Sequence, residues 1–348
     1  MNELKLSKTT RFNRRPGPLV FVVMDGVGVS SNKNGNAVMG ACTPTLDKLM
    51  NNSLYTTVQA HGVAVGLPSD DDMGNSEVGH NAFGAGRVFE QGAKLVNKSI
   101  ESGAMFAGEV WKKITGNCIS KKSALHFIGL FSDGNVHSHI NHLKAMIKQG
   151  ASEGVKKIRI HILLDGRDVG ETSALEYIEP FEKYLAEINS QYLTDCKIAS
   201  GGGRMKVTMD RYEADWNMVK IGWETHVQGN GRKFNTAKQA VEMYRKENPL
   251  VIDQDLPPFV IEDSEGKPAG KICDGDAVIY YNFRGDRAIE ISKAFEEENF
   301  SKFDRGERPT VIYAGMMEYT EMRIFRKLIL YRRLLLIKRW AKFLQQTA

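Results

Sequence analysis

The sequence predicts an α/β protein built around a mainly parallel sheet. Short apolar runs alternate with longer amphipathic stretches, the order that strand–helix–strand units leave in a sequence. The predicted strands are residues 19–24, 124–131, 158–164, 277–282 and 309–313. The predicted helices are residues 139–152, 173–189 and 236–247, and Pro180 is expected to kink the second or divide it in two.

The first apolar run delivers a carboxylate. Residues 19–24 are continuously apolar, as in a strand buried on both faces, and Asp25 follows at once. Open α/β sheets place their sites at the carboxyl ends of their strands. Asp25 is therefore a candidate metal ligand, although an Asp-Gly pair after a strand is more often only a turn.

The most informative segment is residues 72–80, D-M-G-N-S-E-V-G-H. Ser76 lies between Gly74 and Gly79, a setting in which a serine can sit on a tight turn with its hydroxyl exposed, as a nucleophile requires. Together with Asp25, this serine suits a metal-assisted attack on phosphorus, in which the metal lowers the pKa of the hydroxyl. A G-x-S pattern by itself is common by chance.

Charged residues follow each of the later apolar runs. They are His137 and His139, then Arg167 and Asp168, then Arg204 and Arg211, and finally Arg284 and Arg287. Taken alone, each residue has a simpler explanation: an arginine can be a salt-bridge partner, and a histidine can lie in a surface loop. The glycine triplet at residues 201–203, which precedes Arg204, would by itself suggest only a flexible loop. Their shared position after strands favours a clamp for phosphate and carboxylate oxygens, which the planar guanidinium fits.

Composition excludes several classes of protein. The four cysteines form no C-x-x-C pair, which argues against a structural zinc site or a disulfide framework and predicts a soluble, cytoplasmic protein. The early apolar run is too short for a signal peptide or a membrane span. The net charge of +5 arises in residues 321–348, which carry eight basic residues and one acidic residue. The remainder is slightly acidic, so we expect neither a nucleic-acid nor a membrane partner.

Taken together, these segments resemble the cofactor-independent (2,3-bisphosphoglycerate-independent) phosphoglycerate mutases. In particular, they resemble the sequences of the plant and trypanosomatid branch of that family. The resemblance covers residues 15–319 through V-V-M-D-G, M-G-N-S-E-V-G-H-N, G-A-G-R, S-D-G-N-V-H-S-H, D-G-R-D, G-G-G-R, M-D-R-Y and N-F-R-G-D-R. It implies a glycolytic enzyme, expected to be a monomer, that interconverts 3-phosphoglycerate and 2-phosphoglycerate without bisphosphoglycerate. It also implies two Mn²⁺ ions, with Mg²⁺ or Co²⁺ as substitutes. A phosphopentomutase is a related alternative that S-D-G-N-V-H-S-H and D-G-R-D disfavour.

The resemblance also implies a role for individual residues. Ser76 corresponds to the serine that becomes phosphoserine and contacts metal, and Asp25 to a metal ligand beside it. The implied substrate-binding residues are His137, Arg167, Asp168, Arg204, Arg211, Arg284 and Arg287.

The expected domains are an incomplete alkaline-phosphatase-like piece, residues 1–90, and a nearly complete α/β substrate-binding domain, residues 91–313. A return crossing and a basic tail, residues 314–348, follow. The family's other metal ligands are expected after this point, but residues 320–348 show no such spacing. The tail reads either as a basic amphipathic helix or, as we favour, as the product of a frameshift.

We accordingly expect this chain to be inactive as a mutase. The alternatives are a phosphoglycerate-binding fragment without turnover and, in a different class, a membrane or nucleic-acid binder acting through the tail.

Overall fold

The chain separates into two units, residues 1–58 and 59–348. The structure is a computed structural model that describes residues 17–18, 20–24, 27–52, 54–88, 90–319 and 329–331. In the first unit, Ala37–Gly40 (α1) and Pro44–Met50 (α2) are helical. None of the described residues of this unit is buried.

The second unit contains the sheet and the remaining helices. The strands are Ala124–Phe131 (β1), Lys157–Leu164 (β2), Asp195–Gly203 (β3), Arg232–Phe234 (β4), Phe259–Ile261 (β5), Ala277–Tyr280 (β6), Ile312–Met317 (β7) and Ile329–Tyr331 (β8). The helices are Ser76–Ala85 (α3), Gly92–Glu101 (α4), Ala104–Ala107 (α5), Glu109–Lys121 (α6), Ile140–Glu153 (α7), Ala174–Tyr192 (α8), Trp216–His226 (α9), Ala237–Glu247 (α10) and Ile289–Glu296 (α11). Short 3₁₀ turns lie at Gly62–Val65 and Asp253–Asp255.

The strands form one sheet in the order β4-β5-β3-β2-β1-β6-β7-β8. All neighbours are parallel except β3 and β5, which are antiparallel. The carboxyl ends of β1, β2, β3, β6 and β7 consequently meet at one edge, and the loops that follow these strands share that edge.

Two apolar layers cover the faces of the sheet. Phe127 of β1 belongs to a cluster with Trp111 of α6 and Phe181 of α8, whereas Ile128 belongs to a second cluster with Trp223 of α9. Successive side chains of a strand point to opposite faces, so a sheet covered on both sides needs strands that are apolar throughout. This explains the continuous apolar runs in the sequence.

Most predicted elements of this unit are confirmed. The runs 124–131 and 158–164 are β1 and most of β2, and 277–282 contains the shorter β6. The run 309–313 is displaced toward the C-terminus, since β7 begins only at Ile312. The three predicted helices are α7, α8 and α10, and α8 passes through Pro180 as one helix rather than two. Its buried Ile178 and Phe181 hold both sides of the proline against the core.

The predicted strand at residues 19–24 is wrong over the part that is described. Residues 20–24 belong to no strand, and Val20 and Val22 are 76% and 70% exposed. A strand gains stability only when it pairs with a neighbour and covers a face. No described residue of the first unit supplies such a neighbour.

The glycine triplet at residues 201–203 is the end of β3 rather than a flexible loop. All three residues are buried. A Cβ at Gly203 would overlap the carbonyl group of Gln254, so the absence of a side chain allows the turn before β5 to approach the strand.

The described residues test three of the expectations only in part. The predicted tail lies outside them except for Ile329–Tyr331, which pairs with β7, and the frameshift hypothesis stays a prediction. The predicted domain limits at residues 90 and 313 also stay predictions. Among the described residues, no helix is both long and apolar enough to cross a membrane.

Candidate functional site

Most of the predicted site residues lie at one edge of the sheet. This is the edge at which strands β1, β2, β3 and β6 have their carboxyl ends. The segments that follow these strands are 132–139, 165–168, 204–211 and 281–287. They are joined directly, because the backbone N–H of Phe283 donates to the carbonyl of His137 at 2.8 Å. The sequence prediction that these segments share one edge is confirmed.

A buried ion-pair network occupies the middle of the edge. Arg204 is 1% exposed and donates through one terminal nitrogen to Asp165 at 2.8 Å and to Asp168 at 2.5 Å. Asp165 also accepts from the Ser132 hydroxyl at 2.6 Å and from the backbone N–H of Arg167 at 3.2 Å. Burial alone would lower the pKa of Arg204, but Asp168 and Asp165 raise it, so the guanidinium is cationic.

Asp286 is the second acidic centre of the edge. Its carboxylate lies 3.0 Å from a terminal nitrogen of Arg284, 3.9 Å from Arg211 and 3.5 Å from Nδ1 of His137. The single carboxylate therefore draws two of the predicted arginines and the predicted histidine together.

Two further predicted residues differ in their exposure. Arg287 is 6% exposed and donates to the carbonyl of Met209. Burial and the positive charges of Arg204 and Arg211 lower the pKa of Arg287. Arg167 is exposed, so its side chain is accessible from solvent at the same edge.

The electrostatics of the edge favour an anion. Burial, followed by the charges of Arg204 and Arg284, holds the pKa of His137 well below its usual value, so the imidazole is neutral near pH 7. Several buried polar atoms have no hydrogen-bond partner among the described residues: Nδ1 of His137, Nε of Arg204, Nε of Arg284 and both carboxylate oxygens of Asp286. Buried donors without partners are unfavourable unless a ligand satisfies them.

Ser76 is the first residue of α3. The side chain of Asn75 caps this helix by accepting from the N–H of Val78 at 3.2 Å, and Ser76 itself is exposed. The exposed hydroxyl is confirmed, but the tight turn between glycines is wrong, because Gly79 lies within the helix. Gly74 is needed for a close backbone contact, because a Cβ there would overlap the carbonyl oxygen of Ala60. A serine at a helix N-terminus faces free backbone N–H groups that favour a phosphate.

His80 lies one turn further along α3 and contacts the serine. Its Nδ1 is 2.8 Å from the Ser76 carbonyl oxygen and 3.2 Å from the Ser76 hydroxyl. A carbonyl can only accept, so the shorter contact places the proton on Nδ1. In that tautomer Nδ1 donates to the Ser76 carbonyl and does not accept the hydroxyl proton.

Two contacts tie the serine segment to the edge of the sheet. Asp72 accepts from the Asn135 side chain at 2.5 Å, and Glu77 lies 3.5 Å from Nε of Arg284. Asn135 has a left-handed backbone (φ 56°), a conformation that asparagine adopts more readily than most residues. The structure thereby places Glu77, the residue after the predicted nucleophile, beside one of the predicted arginines, Arg284.

Another acidic pair lies beneath the segment that carries Arg211. Burial, with a contribution from Asp210, raises the pKa of Glu290 to about 7. Glu290 accepts from the backbone N–H of Glu213 at 2.9 Å, and Asp210 accepts from that of Asp215 at 2.7 Å. Both carboxyl groups therefore shape the loop that presents Arg211.

Sequence reasoning missed several of these residues. Asp165, Asp286 and Glu77 were not singled out, although the first two stand in the quoted segments D-G-R-D and N-F-R-G-D-R. A carboxylate flanked by arginines after a strand is a usable signal for a buried ion pair. The pairing of Glu77 with Arg284 leaves no such trace, because 207 positions separate them.

The described residues do not make a metal site. None of them forms a group of three or more His, Cys, Asp or Glu side chains placed to hold an ion. Asp25, the predicted ligand, lies outside the described residues.

Comparison with known proteins agrees with the fold and the motifs. The sequence model of the BPG-independent PGAM N-terminus matches residues 96–321. The chain belongs to this family. The matched region of these BPG-independent phosphoglycerate mutases begins in α4 and contains the whole sheet up to β7.

Relatives in the family are similar over most of this chain. A probable 2,3-bisphosphoglycerate-independent phosphoglycerate mutase of Leptospira interrogans is 59% identical over 91% of this chain and 57% of its own length. The corresponding mutase of Trypanosoma brucei brucei is 50% identical over 86% of this chain and 55% of its own. The chain thus spans little more than half the length of these curated relatives.

A solved structure shows the same fold. A crystal structure of Leishmania mexicana phosphoglycerate mutase, determined at low cobalt concentration, superposes with a TM-score of 0.86 and 48% identity. The match covers 89% of this chain and 56% of the Leishmania chain.

Proposed function

We propose that this chain carries the phosphoglycerate-binding part and the phosphoryl-accepting serine of a mutase that interconverts 3-phosphoglycerate and 2-phosphoglycerate in glycolysis. The observation that carries the proposal is the convergence of buried, incompletely paired cations on one sheet edge, beside a serine at a helix N-terminus. Membership of the BPG-independent family supplies the identity of the anion.

The proposed ligand contacts follow from the chemistry of the edge. Phosphoglycerate carries a carboxylate and a phosphate, and a guanidinium can bind either with two parallel hydrogen bonds. Arg211, Arg284 and Arg287 are proposed to hold these groups together with Arg167. Arg204 and Asp168 position the edge through their buried pair, and neutral His137 offers a hydrogen bond without adding charge.

The proposed transfer is a pair of exchanges at phosphorus. The bond between phosphorus and the C3 oxygen breaks, a bond to the Ser76 oxygen forms, and the serine proton passes to the departing oxygen. The glycerate then turns while the arginines hold its carboxylate. Its C2 oxygen forms a bond to phosphorus, the bond between phosphorus and the Ser76 oxygen breaks, and the proton of the C2 hydroxyl returns to Ser76. The N-terminal N–H groups of α3 stabilise the charge on the phosphoryl oxygens throughout.

The remaining expectations belong to the same proposal. We expect Mn²⁺ to be required, with Mg²⁺ or Co²⁺ as substitutes, and Asp25 and Ser76 to be the ligands from this chain. We also expect a cytoplasmic monomer without a nucleic-acid or membrane partner.

Calorimetric titration of the chain with 3-phosphoglycerate tests the binding step. We expect saturable binding that Arg211→Ala weakens by about 10- to 100-fold, since a hydrogen bond to a charged group contributes about 1.5–3 kcal/mol. Arg211 is half-buried and contacts Asp286 only at 3.9 Å, so its loss should leave the fold intact. Arg232→Ala is the matched control, because Arg232 is the first residue of β4 and pairs with Glu247, with both side chains largely exposed. Absence of binding to the unmodified chain would refute the proposal.

A second candidate is binding without turnover. It is favoured by the buried, incompletely paired arginines of the sheet edge, which supply contacts for an anion by themselves. A coupled mutase assay with and without Mn²⁺ separates the candidates, because the binding fragment shows titration heat without conversion.

A further inference from the structure

The loop that carries Arg211 has a strained backbone. Tyr212 and Glu213, the two residues after Arg211, both have left-handed φ values, 63° and 56°. Neither is glycine, and residues with side chains rarely adopt this conformation unless the surrounding contacts enforce it. Strain of this kind is concentrated at sites where a side chain is presented in one fixed direction. The side chain that this loop presents at the sheet edge is Arg211.

The contacts of the Arg211 side chain do not explain why the loop keeps this shape. The side chain is 43% exposed, and its guanidinium lies 3.9 Å from the Asp286 carboxylate, too far for a strong hydrogen bond. The guanidinium also lies 5.3 Å from the centre of the Tyr212 ring, but Tyr212 belongs to the same loop and is itself exposed. The loop is therefore held by other residues.

Two residues near the start of α11 hold the loop. Arg287, just before α11, donates to the carbonyl of Met209. Glu290, in the first turn of α11, is 3% exposed and accepts from the backbone N–H of Glu213 at 2.9 Å. These two contacts lie on either side of Arg211 in the sequence, so one short segment fixes both ends of the loop.

Glu290 has an oxygen that the loop backbone does not occupy. Its Oε2 is buried and has no hydrogen-bond partner among the described residues. Burial raises the pKa of Glu290 to about 7, and the buried Asp210 carboxyl group adds to this effect. Glu213 also faces Glu290, but its charge is balanced by Lys293 and Lys302. Below its pKa, Glu290 can direct a proton toward Asp210 while its other oxygen accepts from the loop.

We propose that Glu290 is a positioning residue for anion binding, which together with Asp210 holds residues 210–215 in the shape that presents Arg211 to phosphoglycerate. A neutral carboxyl group has the donor and the acceptor that this task needs: its proton is donated to Asp210, and its other oxygen accepts from the N–H of Glu213. Arg211 then loses little conformational freedom when the anion binds. This inference rests on the proposed function, because it names phosphoglycerate as the ligand.

The test is a double-mutant cycle between Glu290 and Arg211, with 3-phosphoglycerate binding measured by calorimetry below the pKa of Glu290. We expect Glu290→Ala to weaken binding about three- to tenfold, the factor that the loss of one neutral hydrogen bond supports. In the Arg211→Ala background the same substitution should have no further effect, because Glu290 acts through Arg211. Equal weakening in both backgrounds would show a general structural contribution and would overturn the proposal.

Two further variants separate positioning from a general loss of structure. Glu290→Gln offers an N–H donor to Asp210 and a carbonyl oxygen to the loop, so it should restore the affinity of the unmodified chain. Glu182→Ala removes another half-buried carboxyl group with a raised pKa, which lies on α8 beside Ala237 of α10, and should bind as the unmodified chain does. Binding that is as weak in Glu290→Gln as in Glu290→Ala would contradict the positioning role.

Hydrogen exchange of the ligand-free chains separates this inference from the proposed function. Amide exchange at residues 211–215 should be faster in Glu290→Ala than in the unmodified chain or in Glu290→Gln. If the unmodified chain does not bind 3-phosphoglycerate, the proposed function is refuted, and faster exchange in Glu290→Ala still supports a loop positioned by Glu290. Unchanged exchange in Glu290→Ala overturns the positioning role whether or not the ligand binds.

Discussion

Arg204 is the residue on which the arrangement of the sheet edge most depends. Its guanidinium is almost inaccessible and links Asp165, at the end of β2, to Asp168 three residues later. A buried ion pair is not in itself a source of large net stability, because both charges lose their hydration. Removing one partner is different, since it leaves the other charge buried and unpaired.

We predict that Arg204→Ala lowers the free energy of unfolding by about 3–5 kcal/mol, because Asp165 and Asp168 lose the buried cation that pairs with both of them. Urea denaturation followed by circular dichroism measures the change. Lys206→Ala is the control: Lys206 and Asp255 are 50% and 41% exposed and 3.6 Å apart, so we expect a change below about 1 kcal/mol. Equal unfolding midpoints for the two variants would show that the buried ion pairs contribute no more to the free energy of unfolding than the exposed pair does.

At the scale of elements, a chain of buried hydrogen bonds connects β1, β2, β3 and α9. Asp276 lies 3.2 Å from His126, which lies 3.0 Å from His161. The Ser200 hydroxyl is 2.7 Å from both His161 and His226. With neutral imidazoles, one set of hydrogen-bond directions satisfies every contact: His126 donates to Asp276, His161 donates to His126, the Ser200 hydroxyl donates to His161, and His226 donates to Ser200. A proton added to His126 would place two donors against each other. A proton added to His226 would lie on Nε2, a buried atom with no hydrogen-bond partner among the described residues.

We predict that acid destabilises the fold through these histidines. Burial lowers the pKa of His226 from 6.5 to about 3, so between these values the unfolded chain binds a proton that the folded chain does not. The stability is then complete above pH 6.5 and is lost progressively as the pH falls. Burial also lowers the pKa values of His126 and His161, which adds to the slope.

Unfolding free energies measured by urea denaturation over a pH series check this prediction. His226→Gln should show a shallower loss of stability below pH 6.5 than the unmodified chain. A profile in His226→Gln as steep as that of the unmodified chain would assign the acid sensitivity to other groups.

At the scale of the whole molecule, the two units differ in how they use apolar residues. The second unit encloses its apolar runs between helices on both faces of the sheet. In the first unit, residues 20–24 are apolar and exposed. Contiguous exposed apolar surface favours association with other surfaces of the same kind.

We predict that the double substitution Val20→Ser and Val22→Ser slows aggregation without changing the urea midpoint. These side chains are 76% and 70% exposed, so they contribute little buried area to the fold. Dynamic light scattering during incubation at 37 °C measures the first effect, and denaturation measures the second. Substitution of the equally apolar but fully buried Ile160 by serine should instead lower the midpoint. A lowered midpoint in the double variant would mean that residues 20–24 are packed after all.

The strand–helix alternation of the second unit and the position of charged residues after the strands could both be predicted from the sequence. Both are local properties: an apolar run of strand length identifies a buried strand, and its C-terminal neighbour lies at the edge of the sheet. The same local signal was wrong at residues 20–24, because it records apolar content and not whether a neighbouring strand is present.

Which charged groups pair with one another depends on the tertiary fold. The pairs of Glu77 with Arg284 and of Asp286 with His137, and the histidine chain across three strands, join residues that are far apart in sequence. Such distances depend on strand order, register and the packing of α3 onto the sheet edge, which no local pattern encodes. Sequence patterns therefore indicated the arginines and the histidine of the edge, while packing determined which carboxylates pair with them and which groups remain open to a ligand.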